Sequence, residues 1–299
     1  MNYIWDVQIR EAYQELRMAL SVMYDLRESA GIADMVMEEI TGWERSLRII
    51  HHNEELSEAQ FERFQQCSRE LLHGRPIQYV LGHAWFAGMR FKVDERVLIP
   101  RPETEELVEI VRNIYKNKHH AENYQIRMLD IGTGSGCIAI ALKRYFEDWK
   151  VTAMDKSKKA IELAMFNAEL LGTDIKFVEA DILIEAWNDH KPSFDIMVSN
   201  PPYIPEEDKQ HMALHVLKHE PHMALFTEHE DPLIFYKAIV NFSLLHLFRG
   251  GMLFFETHAS YAHQVASWME SNEFEQVTVL QDMQGKDRIV YGTKTGASL

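Results

Sequence analysis

The sequence has few cysteines and no excess of positive charge. Its 299 residues include only Cys67 and Cys137, and 46 acidic residues outnumber 31 lysines and arginines, for a formal net charge of -15. Two such distant cysteines argue against a disulfide framework and favour a reducing cytoplasm. The densest basic run, Lys156-Ser157-Lys158-Lys159, has the pattern of a solvated helix start. Without a basic patch, stable binding to nucleic acid is not expected.

Membrane, secretory and metal-binding signals are also lacking. No apolar run approaches the roughly 20 residues that a transmembrane helix needs. Asp6, Arg10 and Glu11 interrupt the apolar residues near the N-terminus, so we expect no signal peptide. No cluster of cysteine and histidine has metal-ligand spacing, and no metal is predicted. The length suffices for two domains, the hydrophobic content of 46% is typical of a soluble globular protein, and nothing demands more than a monomer.

Residues 1–75 have the pattern of a small helical bundle. Apolar residues recur at steps of three and four at Trp5, Ile9, Ala12, Leu16, Ala19 and Met23. Gly31 and Gly42 interrupt the helical pattern, and Ser57 with Gln60 resembles a capping box at the start of a further helix. The bundle has no catalytic constellation, so it is predicted to be a packing or partner-docking module.

Residues 76–100 have the pattern of a β-hairpin linker. Gln78-Tyr79-Val80-Leu81 and Phe91-Lys92-Val93 are strand-like, and glycines punctuate the sequence between them. The next segment, Val97-Leu98-Ile99-Pro100-Arg101-Pro102, is stiff and partly apolar, so it either joins two domains or lines a site. Pro102 suits the first turn of a helix.

From residue 127 onward, strand-like runs alternate with helical patterns. We predict strands at residues 127–131, 151–154, 175–178, 194–199 and 252–255 and helices at 137–145, 157–171, 231–248 and 260–271. The tail adds an antiparallel pair of strands around Gly285. Repeated strand–helix units predict an α/β domain over residues 101–299, with a doubly wound, seven-stranded, Rossmann-like sheet.

A glycine-rich loop lies between the first of these strands and the first helix. Glycines let a backbone approach a ligand closely, and a helix start presents unpaired N–H groups. We therefore predict that Gly132-Thr133-Gly134-Ser135-Gly136 binds a nucleotide, although a dinucleotide fingerprint needs a glycine where Cys137 stands. Asp155 ends the second strand, where its carboxylate can accept hydrogen bonds from ribose hydroxyls. Asp181 ends the third, where it can receive an adenine amino group.

The tetrapeptide Asn200-Pro201-Pro202-Tyr203 follows the strand at 194–199, at the edge of the sheet where ligands bind. Its prolines remove two N–H donors, Asn200 adds a side-chain amide, and Tyr203 adds a flat ring. Together they form a rigid slot of acceptors that suits a planar –NH2 group, with Asn200, Pro201 and Tyr203 as catalytic candidates. A turn that merely closes a strand has the same composition. The prediction therefore depends on the glycine loop and the acidic residues at the other strand ends.

This arrangement resembles the class I S-adenosylmethionine-dependent methyltransferases that act on a planar amino or amide nitrogen. Two stretches, Arg75-Pro76-Ile77-Gln78-Tyr79-Val80-Leu81-Gly82 and Val97-Leu98-Ile99-Pro100-Arg101-Pro102-Glu103-Thr104-Glu105, closely resemble the linker of the PrmC/HemK family, the peptide chain release factor glutamine methyltransferases. The resemblance covers nearly the whole chain.

A third stretch also matches the family, and two others depart from it. Glu220-Pro221 and Ala224-Leu225 match the family's E-P-x-x-A-L segment. Glu256-Thr257-His258 stands where the family usually has E-x-G, and the usual glycines are missing near Glu228-His229-Glu230-Asp231.

The resemblance implies a substrate, a cofactor and a partner. The substrate is the side-chain amide of the glutamine in the Gly-Gly-Gln motif of class I release factors, and the cofactor is S-adenosylmethionine, with S-adenosylhomocysteine as product. By resemblance, residues 132–136 and Asp155 hold the cofactor, and residues 200–203 hold the glutamine amide. Asp181 and Asn200 are predicted to contact the cofactor as well. The N-terminal helices help to dock the release factor.

Two other functions stay open on the residues alone. A nucleic-acid methyltransferase that acts on an exocyclic amino group of adenine, cytosine or guanine can use the same slot. The net charge of -15, the missing basic patch and the helical N-terminal segment weigh against it. A cofactor-binding fold kept as an interaction module is the second alternative, and the intact set of Asp130, Asp155 and Asn200 argues against it.

Overall fold

The computed structural model describes residues 7–116, 124–184, 193–205, 209, 214–227 and 231–295. Trp5 and residues 228–230, on which two of the sequence observations fall, lie outside these ranges. The helices are α1 (Ile9–Leu20), α2 (Leu26–Thr41), α3 (Arg45–Ile50), α4 (Glu58–Leu72), α5 (Ile77–Leu81), α6 (Pro102–Tyr115), α7 (Cys137–Tyr145), α8 (Lys158–Leu170), α9 (Leu214–His219), α10 (His222–Leu225), α11 (Ile234–His246) and α12 (Ala262–Glu270). The strands are β1 (His83–Phe86), β2 (Met89–Lys92), β3 (Arg127–Ile131), β4 (Lys150–Asp155), β5 (Lys176–Glu179), β6 (Phe194–Ser199), β7 (Ile204–Pro205), β8 (Phe226–Thr227), β9 (Leu247–Glu256), β10 (Phe274–Gln281) and β11 (Asp287–Lys294).

The chain divides into two compact units. The helical unit comprises residues 1–82 and 213–219, and the sheet unit comprises residues 83–212 and 220–299. The domain limits expected from the sequence, after residues 75 and 100, stay a prediction. In the described ranges, no helix is both long enough and apolar enough to cross a membrane.

The helical unit forms around one apolar core. Its buried side chains include Ile9, Ala12, Leu16, Ile32, Val36, Met37, Phe64, Leu71 and Ile77. The predicted apolar face of the first helix is confirmed at Ile9, Ala12 and Leu16, which are buried, whereas Met23 lies beyond the end of α1 and is exposed. The capping box is confirmed: Ser57 donates its backbone N–H to Gln60 Oε1 at 3.0 Å.

Two predictions in this unit are wrong. Helix α2 continues through Gly31, because burial of Ile32 and Val36 on the same helix outweighs the roughly 1 kcal/mol that one glycine costs a helix. Residues 78–81, predicted as a strand, belong to helix α5. A short apolar run fits a helix and a strand equally well, and Gly82, with a φ of 75°, ends the helix.

A seven-stranded sheet is the centre of the second unit, in the order β10-β11-β9-β6-β3-β4-β5. Five strands, from β5 across to β9, are parallel, and β11 is antiparallel to both of its neighbours. The predicted α/β, doubly wound sheet with an antiparallel tail is confirmed.

Helices cover both faces of this sheet, because successive strand residues point to opposite sides. Met128 of β3 belongs to a core with α6 and α7, whereas Leu129 belongs to a core with α11 and α12. The β1–β2 hairpin packs into the first of these cores through Phe86 and Phe91, whose ring centroids lie 6.0 Å apart. The predicted hairpin exists, but its strands lie at residues 83–86 and 89–92.

Strand register brings the three loops that carry the predicted site residues to one edge of the sheet. Ile131 of β3 lies opposite Ser199 of β6, so Gly132 and Asn200 begin neighbouring loops. Asp155 ends β4, on the other side of β3. The strand order reverses between β3 and β6, and open α/β sheets bind ligands in the crevice at such a reversal.

Candidate active site

The glycine loop turns sharply between β3 and α7. Gly132, Gly134 and Gly136 all have positive φ, of 75°, 53° and 83°, a conformation that favours glycine. Backbone N–H groups of Gly132 and Thr133 both donate to the Met154 carbonyl, at 2.8 and 2.9 Å, which ties the loop to β4. A Cβ atom added to Gly132 would lie 4.0 Å from the Asn200 backbone oxygen, so the two predicted loops lie side by side.

Gly136 is also constrained by its neighbours, which leads to a prediction. A Cβ atom there would lie 3.0 Å from Ile140 Cδ1 and 3.2 Å from Ala164 Cβ. We expect Gly136→Ala to lower the free energy of unfolding by about 2 kcal/mol, through backbone strain and close packing together. Urea denaturation measures this change.

Gly134→Ala is the matched control, because φ is also positive at Gly134 but nothing lies within 4 Å of the added Cβ atom. It should cost about 1 kcal/mol, from backbone strain alone. Equal losses in the two variants would show that packing against Ile140 of α7 and Ala164 of α8 does not constrain the loop.

Asp130 is buried at the end of β3, beside the glycine loop. Burial raises the pKa of its carboxyl to about 7, and the hydrogen bond from the Thr133 hydroxyl, at 2.6 Å, opposes the rise. Asp130 therefore holds the start of the loop through Thr133.

Asp155 holds the loop from the neighbouring strand. One carboxylate oxygen accepts the Gly134 N–H at 2.9 Å, and the other accepts the Ser157 N–H at 2.8 Å. Each oxygen keeps a second lone pair for a ligand hydroxyl. Burial raises the pKa of Asp155, and the two backbone hydrogen bonds oppose this rise. Ser157 is the N-cap of α8, as the solvated helix start predicted there requires.

One cavity at the carboxyl edge of the sheet brings most of the predicted site residues together. Those that line it are Gly132, Thr133, Gly134, Ser135, Asp155, Asp181, Asn200, Pro201 and Pro202. Within the described chain, Gly136 and Tyr203 are not among the lining residues. The cavity therefore joins the predicted nucleotide loop to the predicted amide slot.

The segment before α6 forms another wall of this cavity. Leu98, Pro100 and Arg101 line it, so the segment lines a site within the sheet unit. Arg101 Nη2 donates to the buried carboxylate of Glu220 at 2.6 Å, and the Ile99 N–H donates to the same group at 3.2 Å. The two stretches that match the family on either side of the cavity are thus joined by one carboxylate.

Asn200 is held by a hydrogen-bond network that the sequence analysis missed. Asn200 Nδ2 donates to Thr104 Oγ1 at 3.1 Å, and Thr104 donates to Glu256 Oε2 at 2.6 Å. Glu256 is fully buried, and burial raises the pKa of its carboxyl, against the hydrogen bonds from Thr104 and Tyr203. No sequence signal identified this network, because Thr104 and Glu256 are 152 residues apart.

Tyr203 completes this network rather than the cavity wall. Its hydroxyl donates to Glu256 Oε1 at 3.1 Å. Burial, together with the adjacent Glu256 carboxylate, raises the pKa of Tyr203, so the hydroxyl keeps its proton and donates. His258, which stands where the family usually has glycine, has its ring 6.1 Å from that of Tyr203.

Asn167 is a second residue that the sequence analysis missed. Its buried amide on α8 donates to the Ser135 carbonyl at 2.9 Å and to the Lys92 carbonyl at 3.0 Å, and accepts the Lys92 N–H at 2.8 Å. It therefore joins the glycine loop to the end of the β-hairpin. The only sequence signal for Asn167 is that a polar residue stands on the apolar face of a predicted helix.

Solved structures with a similar fold are methyltransferases. A methyltransferase from Pyrococcus furiosus aligns with 76% of this chain and 98% of its own, at a TM-score of 0.50 and 16% identity. The catalytic domain of hMettl16, solved with the MAT2A 3'UTR hairpin 6, aligns with 80% of this chain and 82% of its own, also at 0.50 and 16%. The chain therefore has the fold of a class I methyltransferase.

Sequence comparison then narrows the class to a family. Residues 10–82 match the model of the PrmC N-terminal domain, and residues 115–230 match that of the methyltransferase small domain. The release factor glutamine methyltransferase of Flavobacterium psychrophilum is 37% identical over 91% of this chain and 94% of its own. The release factor glutamine methyltransferase of Bacillus subtilis is 34% identical over 94% of this chain and 97% of its own. The chain belongs to the release factor glutamine methyltransferase family, which confirms the resemblance.

Proposed function

We propose that this protein transfers a methyl group from S-adenosylmethionine to the side-chain amide nitrogen of the glutamine in the Gly-Gly-Gln motif of class I release factors. The observation that carries the proposal is the placement of Asn200 and Pro201 in one cavity with the glycine loop. Membership of the family supports the choice of substrate. The helical unit helps to dock the release factor, and the protein acts in the cytoplasm as a monomer.

The residues of the cavity fit the cofactor. The loop at Gly132 has room for close approach of a ligand, and Asp155 keeps a lone pair on each oxygen for ribose hydroxyls. Asp181 lines the same cavity, where its carboxylate suits an adenine amino group. Residues 132–136, Asp155, Asp181 and Asn200 would hold S-adenosylmethionine, which supplies a methyl group activated on a sulfonium.

The residues of the amide slot have to promote attack by the glutamine amide nitrogen, which is a poor nucleophile. An amide nitrogen has its lone pair delocalised into the carbonyl, so positioning is the first requirement and can lower a barrier by about 7–11 kcal/mol at most. The Asn200 side-chain oxygen and the Pro201 carbonyl accept the amide hydrogens and stabilise positive charge as it develops on nitrogen. No strong base is required before attack, because the proton becomes acidic only as the bond forms.

A labelling experiment tests the proposal. The purified protein is incubated with labelled S-adenosylmethionine and an unmethylated class I release factor, and the label is mapped by peptide mass spectrometry. We expect label on the glutamine of the Gly-Gly-Gln motif. A release factor with that glutamine replaced by alanine is the control and should stay unlabelled.

The same assay separates the alternatives. Methyl transfer to RNA or DNA, with none to the release factor, would favour the nucleic-acid methyltransferase, which the named relatives do not favour. Absence of cofactor binding in isothermal titration would instead point to an interaction module.

A further inference from the structure

Three groups at the cavity form a chain of hydrogen bonds with a defined direction, and two of them, Thr104 and Asn200, line the cavity itself. Glu256 lies at the end of β9, Thr104 lies in the first turn of α6, and Asn200 begins the loop after β6. Thr104 is 3% exposed and Glu256 1%, so the hydrogen bond between them is shielded from water. The protein's own groups therefore decide which atom donates and which accepts in this bond.

The direction begins at Glu256, because a carboxylate only accepts hydrogen bonds. Both of its oxygens accept from a hydroxyl, one from Thr104 and the other from Tyr203. Burial raises the pKa of Glu256, and these two hydrogen bonds and the positive charge of Arg288 oppose that rise. Since Thr104 has one hydroxyl hydrogen and gives it to Glu256, its oxygen can only accept from Asn200.

The same logic fixes the amide of Asn200. Only its –NH2 end can donate to the Thr104 oxygen, so a flipped amide would set two acceptors against each other. The side-chain oxygen is then the end left for a ligand, and no described residue donates a hydrogen bond to it.

We infer that Glu256 and Thr104 are positioning residues, which hold the Asn200 side-chain oxygen toward the glutamine amide of the substrate. This inference rests on the proposed function, because it specifies how the amide slot selects an –NH2 group. A substrate that presents an acceptor in place of the amide hydrogens would face the Asn200 side-chain oxygen, which is also an acceptor, and no hydrogen bond could form. The hydrogen-bond network therefore contributes both to the rate of methyl transfer and to the selection of substrates with an –NH2 group.

Thr104→Val and Thr104→Ser test the inference as a matched pair. Valine keeps the shape but removes the hydroxyl, and serine keeps the hydroxyl but removes the methyl group. We expect Thr104→Val to lower kcat for release-factor methylation about tenfold, with KM for the release factor and the Kd of the cofactor changed less than about threefold. Thr104→Ser should recover most of the turnover.

Glu256→Gln is the second variant, since its amide has the same size but can donate to Thr104. The Thr104 hydroxyl is then released from its fixed direction, and turnover should fall as in Thr104→Val. Wild-type turnover in Thr104→Val would overturn the inference. A loss in Thr104→Ser as large as that in Thr104→Val would also overturn it, because serine keeps the hydroxyl.

A readout that needs no activity separates this inference from the proposed function. The side-chain –NH2 signals of Asn200 in a ¹⁵N NMR spectrum are identified by their loss in Asn200→Asp. Exchange of these hydrogens with solvent should be slow in the wild type and in Thr104→Ser, and at least about tenfold faster in Thr104→Val. Unchanged exchange in Thr104→Val would overturn the positioning role. A wild type that fails to methylate release factors would overturn only the proposed function.

Discussion

Replacing Asn200 by alanine should reduce turnover by about 10²–10³-fold, the effect of losing one preorganised polar group at a developing charge. Asn200 lines the cavity beside the glycine loop, and its –NH2 end is already bonded to Thr104. The lost group is therefore a side-chain oxygen whose orientation is fixed before the substrate arrives. Single-turnover methylation of a release factor measures the effect.

Cofactor binding should weaken only modestly in the same variant. The loop at residues 132–136 and Asp155 are held by Met154 and Ser157, which do not depend on the Asn200 side chain. Asn113→Ala, at an exposed position on α6, is the control and should have normal turnover. Turnover of Asn200→Ala within threefold of the wild-type value would contradict the proposed catalytic role of the Asn200 side chain.

The parts of the fold that could be predicted from the sequence are those encoded by local patterns. Helix α7 and strand β6 lie at the predicted residues, because a buried strand needs a short apolar run and a loop that approaches a ligand needs glycine. Parallel pairing then brings the carboxyl ends of neighbouring strands together. For this reason the amino-acid pattern alone places the glycine loop, Asp155 and Asn200 at one edge of the sheet.

The parts that could not be predicted depend on contacts between distant residues. Residues 78–81 fit a helix and a strand equally well, and packing decides between them. Thr104 has the pattern of an ordinary residue in a helix start, since its role requires Glu256 to lie opposite it. Tyr203 could be placed at the site by its motif, but its direction toward Glu256 depends on β9.

Replacing Arg101 by leucine should lower the free energy of unfolding of the sheet unit by about 3 kcal/mol. The Glu220 side chain is 1% exposed and that of Arg101 is 33% exposed, so the substitution leaves a buried carboxylate without its cation. Removal of one partner from a buried ion pair costs about 3–5 kcal/mol, and the partial exposure of Arg101 places the expected loss at the lower end. Hydrogen exchange of the sheet amides against the wild type measures the change.

The double variant Arg101→Leu/Glu220→Gln separates charge from packing. Glutamine keeps an oxygen that can accept the Ile99 N–H but carries no charge to be left unpaired. It should therefore regain at least half of the stability lost in Arg101→Leu. A free energy of unfolding of Arg101→Leu within about 0.5 kcal/mol of the wild-type value would mean that water reaches Glu220. Recovery in the double variant would show that the unpaired charge of Glu220 causes the loss, and that the cavity wall at residues 96–101 and the segment that begins at Glu220 are coupled through this ion pair.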